Sequence, residues 1–165
     1  MIDTHSHVIF GVDDGSPDEA TSLGLLKMSA ACGVTDLICT PHVLDAGRSL
    51  NWETIVKKTK ELQEMADAAN LPIRLYPGAE LEMNWELTDI LVKGGGQYCL
   101  AGSRYPLIEL PVLMIPERME EFIYELQVRD LIPIIAHPER NQKLMAQPER
   151  LLEWLKRGVL LQCNG

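Results

Sequence analysis

No apolar run in the sequence approaches the ~20 residues that a membrane helix needs. The greasiest stretch, Pro106 to Pro116, is broken by its own prolines. No secretory leader is expected: Met1-Ile2-Asp3-Thr4-His5 has neither a basic start nor an apolar core. The expectation is a cytoplasmic chain with no membrane insertion. Clustered Lys and Arg are also lacking, and the 165 residues carry a formal net charge of -9. Phosphate-backbone binding depends on such clusters, so nucleic acid is not an expected partner. Some of the acidity suits a metal site, where bound cations reverse the local sign. The four cysteines, Cys32, Cys39, Cys99 and Cys163, form no CxxC pair. In a reducing compartment they are expected to be small buried hydrophobes.

What is present is the composition of one soluble domain over residues 1–165, 46% hydrophobic and 24% charged. Short apolar runs alternate with amphipathic stretches. Ser16-Pro17-Asp18-Glu19 offers an N-cap, a proline at the first helical position and a capping-box glutamate. Leu25, Met28 and Cys32 follow at helical spacing, and Gly33 closes the helix. Further helices are expected from Trp52 to Ala69, from Trp85 to Lys93, from near Pro116 and from near Pro148, the last stopped by Gly158. Strands are expected at Ile2–His5, Asp36–Thr40, Ile73–Tyr76, Leu107–Leu110, Ile132–Ala136 and Val159–Cys163. Strand and helix alternate throughout, so the fold class is α/β with parallel strands, most of a β/α barrel.

In such a barrel chemistry sits at the carboxyl ends of the strands. His5 and His7 close the first strand, with Asp13 and Asp14 in the loop after it. His42 follows the second strand, Glu80 and Glu82 follow the third, and Glu109 lies late in the fourth. His137 and Arg140 follow the fifth; Gln162 and Asn164 end the sixth. All four histidines of the chain belong to this set. A lone histidine at a strand end is more often a satisfied polar residue, but four at one expected end favour a metal site. His5 and His7 are two apart on an extended segment, so both imidazoles can face one cation. Mixed imidazole and carboxylate donors suit Zn, Mn or Fe. Plainer roles fall to Trp52, Trp85 and Trp154 as packing residues, and to Glu117, Glu120, Glu121 and Glu125 as a solvated helix face. Asp3 is placed to orient an imidazole, Glu82 and Glu139 to neighbour the site, and Arg48 to lie on the surface.

The segments Met1-Ile2-Asp3-Thr4-His5-Ser6-His7, Val12-Asp13-Asp14-Gly15, Thr40-Pro41-His42, Pro77-Gly78-Ala79-Glu80, Leu107-Ile108-Glu109 and Ile135-Ala136-His137-Pro138-Glu139-Arg140 span nearly the whole chain. In that order they resemble the PHP (polymerase and histidinol phosphatase) family, above all its bacterial capsular-polysaccharide branch of phosphotyrosine-protein phosphatases. The resemblance implies a PHP-type β/α barrel with up to three divalent metals, Mn before Fe, Zn or Mg. It implies His5, His7 and Glu80 on a first metal, Glu80, Glu109 and His137 on a second, and Asp14 and His42 on a third. Arg140 would grip a substrate phosphate oxygen, and Asp14 and His42 would stand at the reaction. The family also has an Asp-x-His motif after a later strand, whereas this chain runs only to Cys163-Asn164-Gly165. A barrel of this type takes ~200 residues or more, so a C-terminally truncated, incomplete barrel of about six strands is expected.

The implied reaction is hydrolysis of phosphotyrosine in a protein, a bacterial tyrosine autokinase of capsular or exopolysaccharide synthesis being the implied partner. Cysteine-based tyrosine phosphatases need Arg six positions after the nucleophile. Here Ile38, Asp45 and Tyr105 follow Cys32, Cys39 and Cys99 at that distance, and Cys163 has no such follower. Two rivals stay open. One is the same site acting on a small phosphomonoester such as histidinol phosphate, or as an exonuclease like polymerase-attached PHP domains, the acidity weighing against the latter. The other is a non-catalytic metal-binding fragment or a regulator that binds phosphotyrosine without turnover. Whether the chain forms a homo-oligomer is open as well.

Overall fold

All six expected strands form, within two residues of the expected bounds. The computed structural model describes residues 1–43, 50–84, 87, 91 and 96–164. Two compact units divide the chain, Met1–Ala79 with Leu100–Gly102, and Glu80–Cys99 with Ser103–Gly165.

In the first unit β1 (Ile2–Ser6) pairs in parallel with β2 (Asp36–Cys39), and β2 with β4 (Arg74–Pro77). A two-residue strand, β3 (His42–Val43), follows β2. Asp3 lies opposite Leu37 but Ser6 opposite Cys39, so β1 spends one more residue than β2 over the same rise. That is a β-bulge. Helix α2 (Trp52–Ala68) starts where the sequence places it: Asn51 Oδ1 accepts from the Thr54 amide at 2.8 Å. Its buried face is Ile55, Thr59, Leu62 and Ala66, spaced by four, three and four residues as a helix stripe requires.

Helix α1 (Glu19–Ala31) differs from expectation at both its cap and its face. The cap is Asp18, whose Oδ1 accepts from the Thr21 amide at 2.7 Å. Ser16 cannot serve, because its buried hydroxyl meets Ser22 Oγ at 2.7 Å and donates to the Asp18 carbonyl. Ser22 and Leu26 are the buried positions, while Met28 and Cys32 are exposed. Ser22 is inward because its hydroxyl donates to the Val8 carbonyl at 2.6 Å, anchoring the loop after β1.

In the second unit β5 (Glu80–Glu82), β6 (Leu107–Glu109), β7 (Ile134–Ala136) and β8 (Leu160–Gln162) pair in parallel, in that order. Glu82, Glu109, Ala136 and Gln162 therefore stand in one row. Helix α3 (Met119–Gln127) begins three residues after Pro116, because Arg118 before it holds φ 61, which no helix residue can adopt. A five-residue helix, α4 (Gln142–Ala146), was not anticipated; α5 (Pro148–Lys156) and its stop at Gly158, φ +88, were. Met119, Phe122, Ile123, Leu126 and Trp154 join Leu81, Leu107, Ile108 and Ile135 as the core of this unit. Of the expected helix from Trp85 to Lys93 only Leu87 and Leu91 are described, both helical and buried; Arg48 and Trp85 lie outside the described residues.

The α/β class with parallel strands thus holds. The pairings within each unit are open ladders, and among the described residues neither unit forms a closed ring by itself.

Candidate functional site

Each unit gathers part of the expected ligand set. In the first, the end of β1 and the following loop bring His5 Nε2 to 3.2 Å from His7 Nε2. Two ring nitrogens so close can share a hydrogen bond, one donating and one accepting according to tautomer, or can face one cation. The His7 and His42 rings lie with centroids 4.7 Å apart, and His42 Nε2 stands 3.7 Å from Asp14 Oδ1. One ligand atom each from His7, Asp14 and His42 fall within 4.8 Å of one another. Two imidazoles and a carboxylate in that space suit Zn, Mn or Fe.

Asp13, which the sequence places only in the loop, is the organiser of this cluster. Its side chain is fully buried, and Oδ2 lies 2.8 Å from His7 Nδ1. The same oxygen accepts from the His42 amide at 3.0 Å, and Oδ1 from the Gly15 amide at 3.0 Å. Burial alone would raise its pKa, but bonds from His7, Gly15 and His42 outweigh that and hold the carboxyl below the usual range. An ionised Asp13 accepts from His7 Nδ1–H, which leaves the imidazole lone pair on Nε2. Asp3, expected to orient an imidazole, instead accepts from the His5 backbone amide at 3.1 Å. Gly15 allows the loop to close over His7: a Cβ there would lie 2.4 Å from both His7 Cβ and the His7 carbonyl oxygen. Thr40, buried, accepts from the Ser6 amide at 2.9 Å and so ties the end of β1 to the end of β2.

In the second unit His137 Nε2 lies 2.6 Å from Glu80 Oε1 and 3.6 Å from Glu109 Oε1. Glu80 and His137 are nearly inaccessible, at 1% and 4%. Removing a carboxylate from water is costly unless it is paired or bound to metal, and here the buried Glu80 pairs with His137. Glu80 and Glu82 belong to β5 and not to a loop, which gives Glu80 a rigid seat. His137 sits at φ 28, a conformation rare outside glycine, and its amide meets Gln162 Oε1 at 3.4 Å. A 3₁₀ turn over Pro138–Arg140 follows and leaves Arg140 exposed. Among the described residues no carboxylate pairs with Arg140; Glu139 accepts instead from the Asn164 amide at 3.1 Å.

The expectation of buried cysteines holds for Cys39 and Cys99 and fails for Cys32 and Cys163. Cys32 caps the exposed end of α1, and Cys163 lies just past β8. Burial pushes the Cys39 thiol up to about 12 and the Cys99 thiol up to about 11, the reverse of what a nucleophile needs. Burial and the neighbouring Glu139 carboxylate raise Cys163 as well.

Imidazoles and carboxylates clustered at the ends of parallel strands form a donor set that could hold a divalent metal ion. The chain belongs to the CpsB/CapC family of capsular polysaccharide synthesis, whose family model matches residues 1–165. It is similar to CapC of Staphylococcus aureus, 36% identical over 168 residues that take in 100% of this chain and 64% of that protein. Likewise it is similar to the tyrosine-protein phosphatase YwqE of Bacillus subtilis, 30% identical over 165 residues, 100% of this chain and 65% of that one. Among solved structures it is similar to one described with YwqE from Bacillus subtilis and CpsB from Streptococcus pneumoniae as metal-dependent tyrosine phosphatases. The TM-score is 0.93 at 30% identity, covering 99% of this chain and 66% of that chain. The chain thus spans 64% and 65% of the length of these two curated relatives.

Proposed function

We propose that the chain is the metal-binding part of a phosphotyrosine-protein phosphatase of capsular or exopolysaccharide synthesis. The observation that carries this is the buried Glu80–His137 pair beside Glu109, matched in the other unit by His5, His7, Asp14 and His42. Family membership and the likeness to metal-dependent tyrosine phosphatases support it. The PHP-type barrel, the single catalytic domain and up to three metals, Mn foremost, belong to the same proposal.

Divalent cations held by these residues would supply an acidified water and positive charge at the phosphoryl oxygens. His5, His7, Asp14, His42, Glu80, Glu109 and His137 bind. Asp13 holds the proton on His7 Nδ1, so the opposite nitrogen keeps its lone pair. Glu80 and His137, nearly closed to solvent, keep their positions without a reorganisation cost. Arg140, exposed and uncommitted, offers a planar fork to two phosphate oxygens as charge builds on them. No thiol takes part. We place the reaction in the cytoplasm, on a tyrosine-phosphorylated protein such as the autokinase of polysaccharide synthesis; four free cysteines support that setting.

The test compares a phosphotyrosyl peptide, histidinol phosphate and single-stranded DNA, with Mn and with a chelator. Turnover of the peptide alone, abolished by chelation, is expected. Preference for histidinol phosphate, or activity that survives chelation, would overturn the proposal.

A further inference from the structure

Immediately after Arg140 the second unit builds a surface that hydrolysis itself does not use. Asn141 is buried, and its Nδ2 donates to the carbonyls of Pro111 at 2.6 Å and Met114 at 2.8 Å. The Gln142 amide donates to the Val112 carbonyl at 2.9 Å. These bonds clamp segment 111–114 to the turn that carries Arg140. Val112, Leu113 and Met114 are nevertheless 49%, 65% and 58% exposed. Three large apolar side chains in a row, held in place and left in water, mark a contact surface.

Beside them is a cavity of about 250 Å³ lined by Met114, Ile115, Lys143, Gln147 and Arg150. Both charged residues of the lining are cations, in a chain whose net charge is -9. Arg150 is fixed, donating to Glu120 Oε1 from Nε at 3.1 Å and Nη2 at 2.8 Å, with its guanidinium 5.9 Å from the centre of the Trp154 ring. Glu120 offsets part of that charge. Lys143 is exposed and makes no ion pair among the described residues, so its charge is the one on offer.

We infer that this surface docks the peptide flanking the phosphotyrosine of the protein substrate. The Val112–Met114 ridge meets apolar side chains, and the Lys143–Arg150 cavity receives one acidic side chain. The inference rests on the phosphatase reading above. Lys143 is three residues from Arg140, so their Cα atoms are at most about 11 Å apart. An extended peptide advances about 3.3 Å per residue. The acidic residue then falls about two to four positions from the phosphotyrosine.

Fluorescence anisotropy with phosphotyrosyl peptides carrying Glu, Gln or Lys at those positions, on either side, tests this. The metal-loaded chain should bind a Glu peptide at least about 5-fold more tightly than the Lys peptide. Lys143→Glu should reverse that order, with metal content and the rate on p-nitrophenyl phosphate unchanged. Leu113→Ser should weaken every peptide alike. Equal affinity of the unsubstituted chain for the three peptides, or an order unmoved by Lys143→Glu, would overturn the docking surface. Intact preference without hydrolysis of any phosphotyrosyl peptide would support docking and sink the phosphatase reading.

Discussion

Asp13 carries the clearest consequence at the scale of single residues. One buried carboxylate serves an imidazole and two backbone amides, and all three belong to segments that carry the proposed ligands. Asp13→Asn keeps the shape but can no longer accept from every donor, and the tautomer of His7 becomes unspecified. Metal affinity should fall by about 10- to 100-fold, with circular dichroism unchanged; titration calorimetry with Mn would measure it, and an unchanged affinity would remove Asp13 from this role. Arg140→Lys should act differently. It keeps the charge but loses the fork, so kcat/KM on a phosphotyrosyl peptide should drop by about 10- to 1000-fold with metal content intact. The histidines and Arg140 stood out in the sequence as candidates because polar residues at strand ends are few and chemically distinctive. Asp13 was not, because nothing in Val12-Asp13-Asp14-Gly15 says which of two adjacent carboxylates turns inward.

Secondary elements were legible in proportion to their length. Strand and helix patterns of four residues or more gave β1, β2, α2 and α5 nearly to the residue. The two-residue β3, three-residue β5 and five-residue α4 are shorter than the runs of about 4–8 residues for strands and about 11–18 for helices over which such patterns are read. In α1 the face was misplaced, since its inward position Ser22 is polar and is buried through hydrogen bonds rather than through apolarity. For α4 the signal was local: Asn141 Oδ1 accepts from the Leu144 amide at 2.9 Å, an N-cap. Asn141→Ala removes that cap and leaves the Pro111 and Met114 carbonyls without their donor. A loss of about 2–4 kcal/mol is expected in urea denaturation. Asn141→Asp retains the cap but sets a buried carboxylate oxygen against the Pro111 and Met114 carbonyls, so it should destabilise at least as much as Asn141→Ala; equality with the unsubstituted chain would show that the clamp adds no stability.

The whole molecule divides the proposed ligands between two units, each with its own core, and the proposed chemistry uses none of its thiols. Iodoacetamide at mildly alkaline pH should modify Cys32 and Cys163 and spare Cys39 and Cys99, giving two adducts by mass spectrometry without loss of bound metal. The buried pair also sets an alkaline limit. An acid whose pKa is raised on folding favours its protonated form there, so its stabilising effect is complete below the ordinary thiol value of 9.0 and is lost as pH rises toward about 11 for Cys99 and about 12 for Cys39. Stability from urea denaturation should therefore fall across that window. A Cys39→Ala, Cys99→Ala chain should lose part of the slope, and an unchanged slope would assign it to other groups.

The extra residue in β1 has a consequence for how this chain can tolerate deletion. Between Asp3 and Ser6 the strand carries one residue more than its partner. Removing the exposed Thr4 would heal the ladder, leaving both flanking pairs in register and a more regular sheet. It would also erase the local twist with which a bulge re-aims side chains, and His5 would revert to plain alternation with its neighbours. Such a shortened chain should melt no lower than the original and yet bind metal poorly. The irregularity would then trade a more regular ladder for the direction in which one imidazole points.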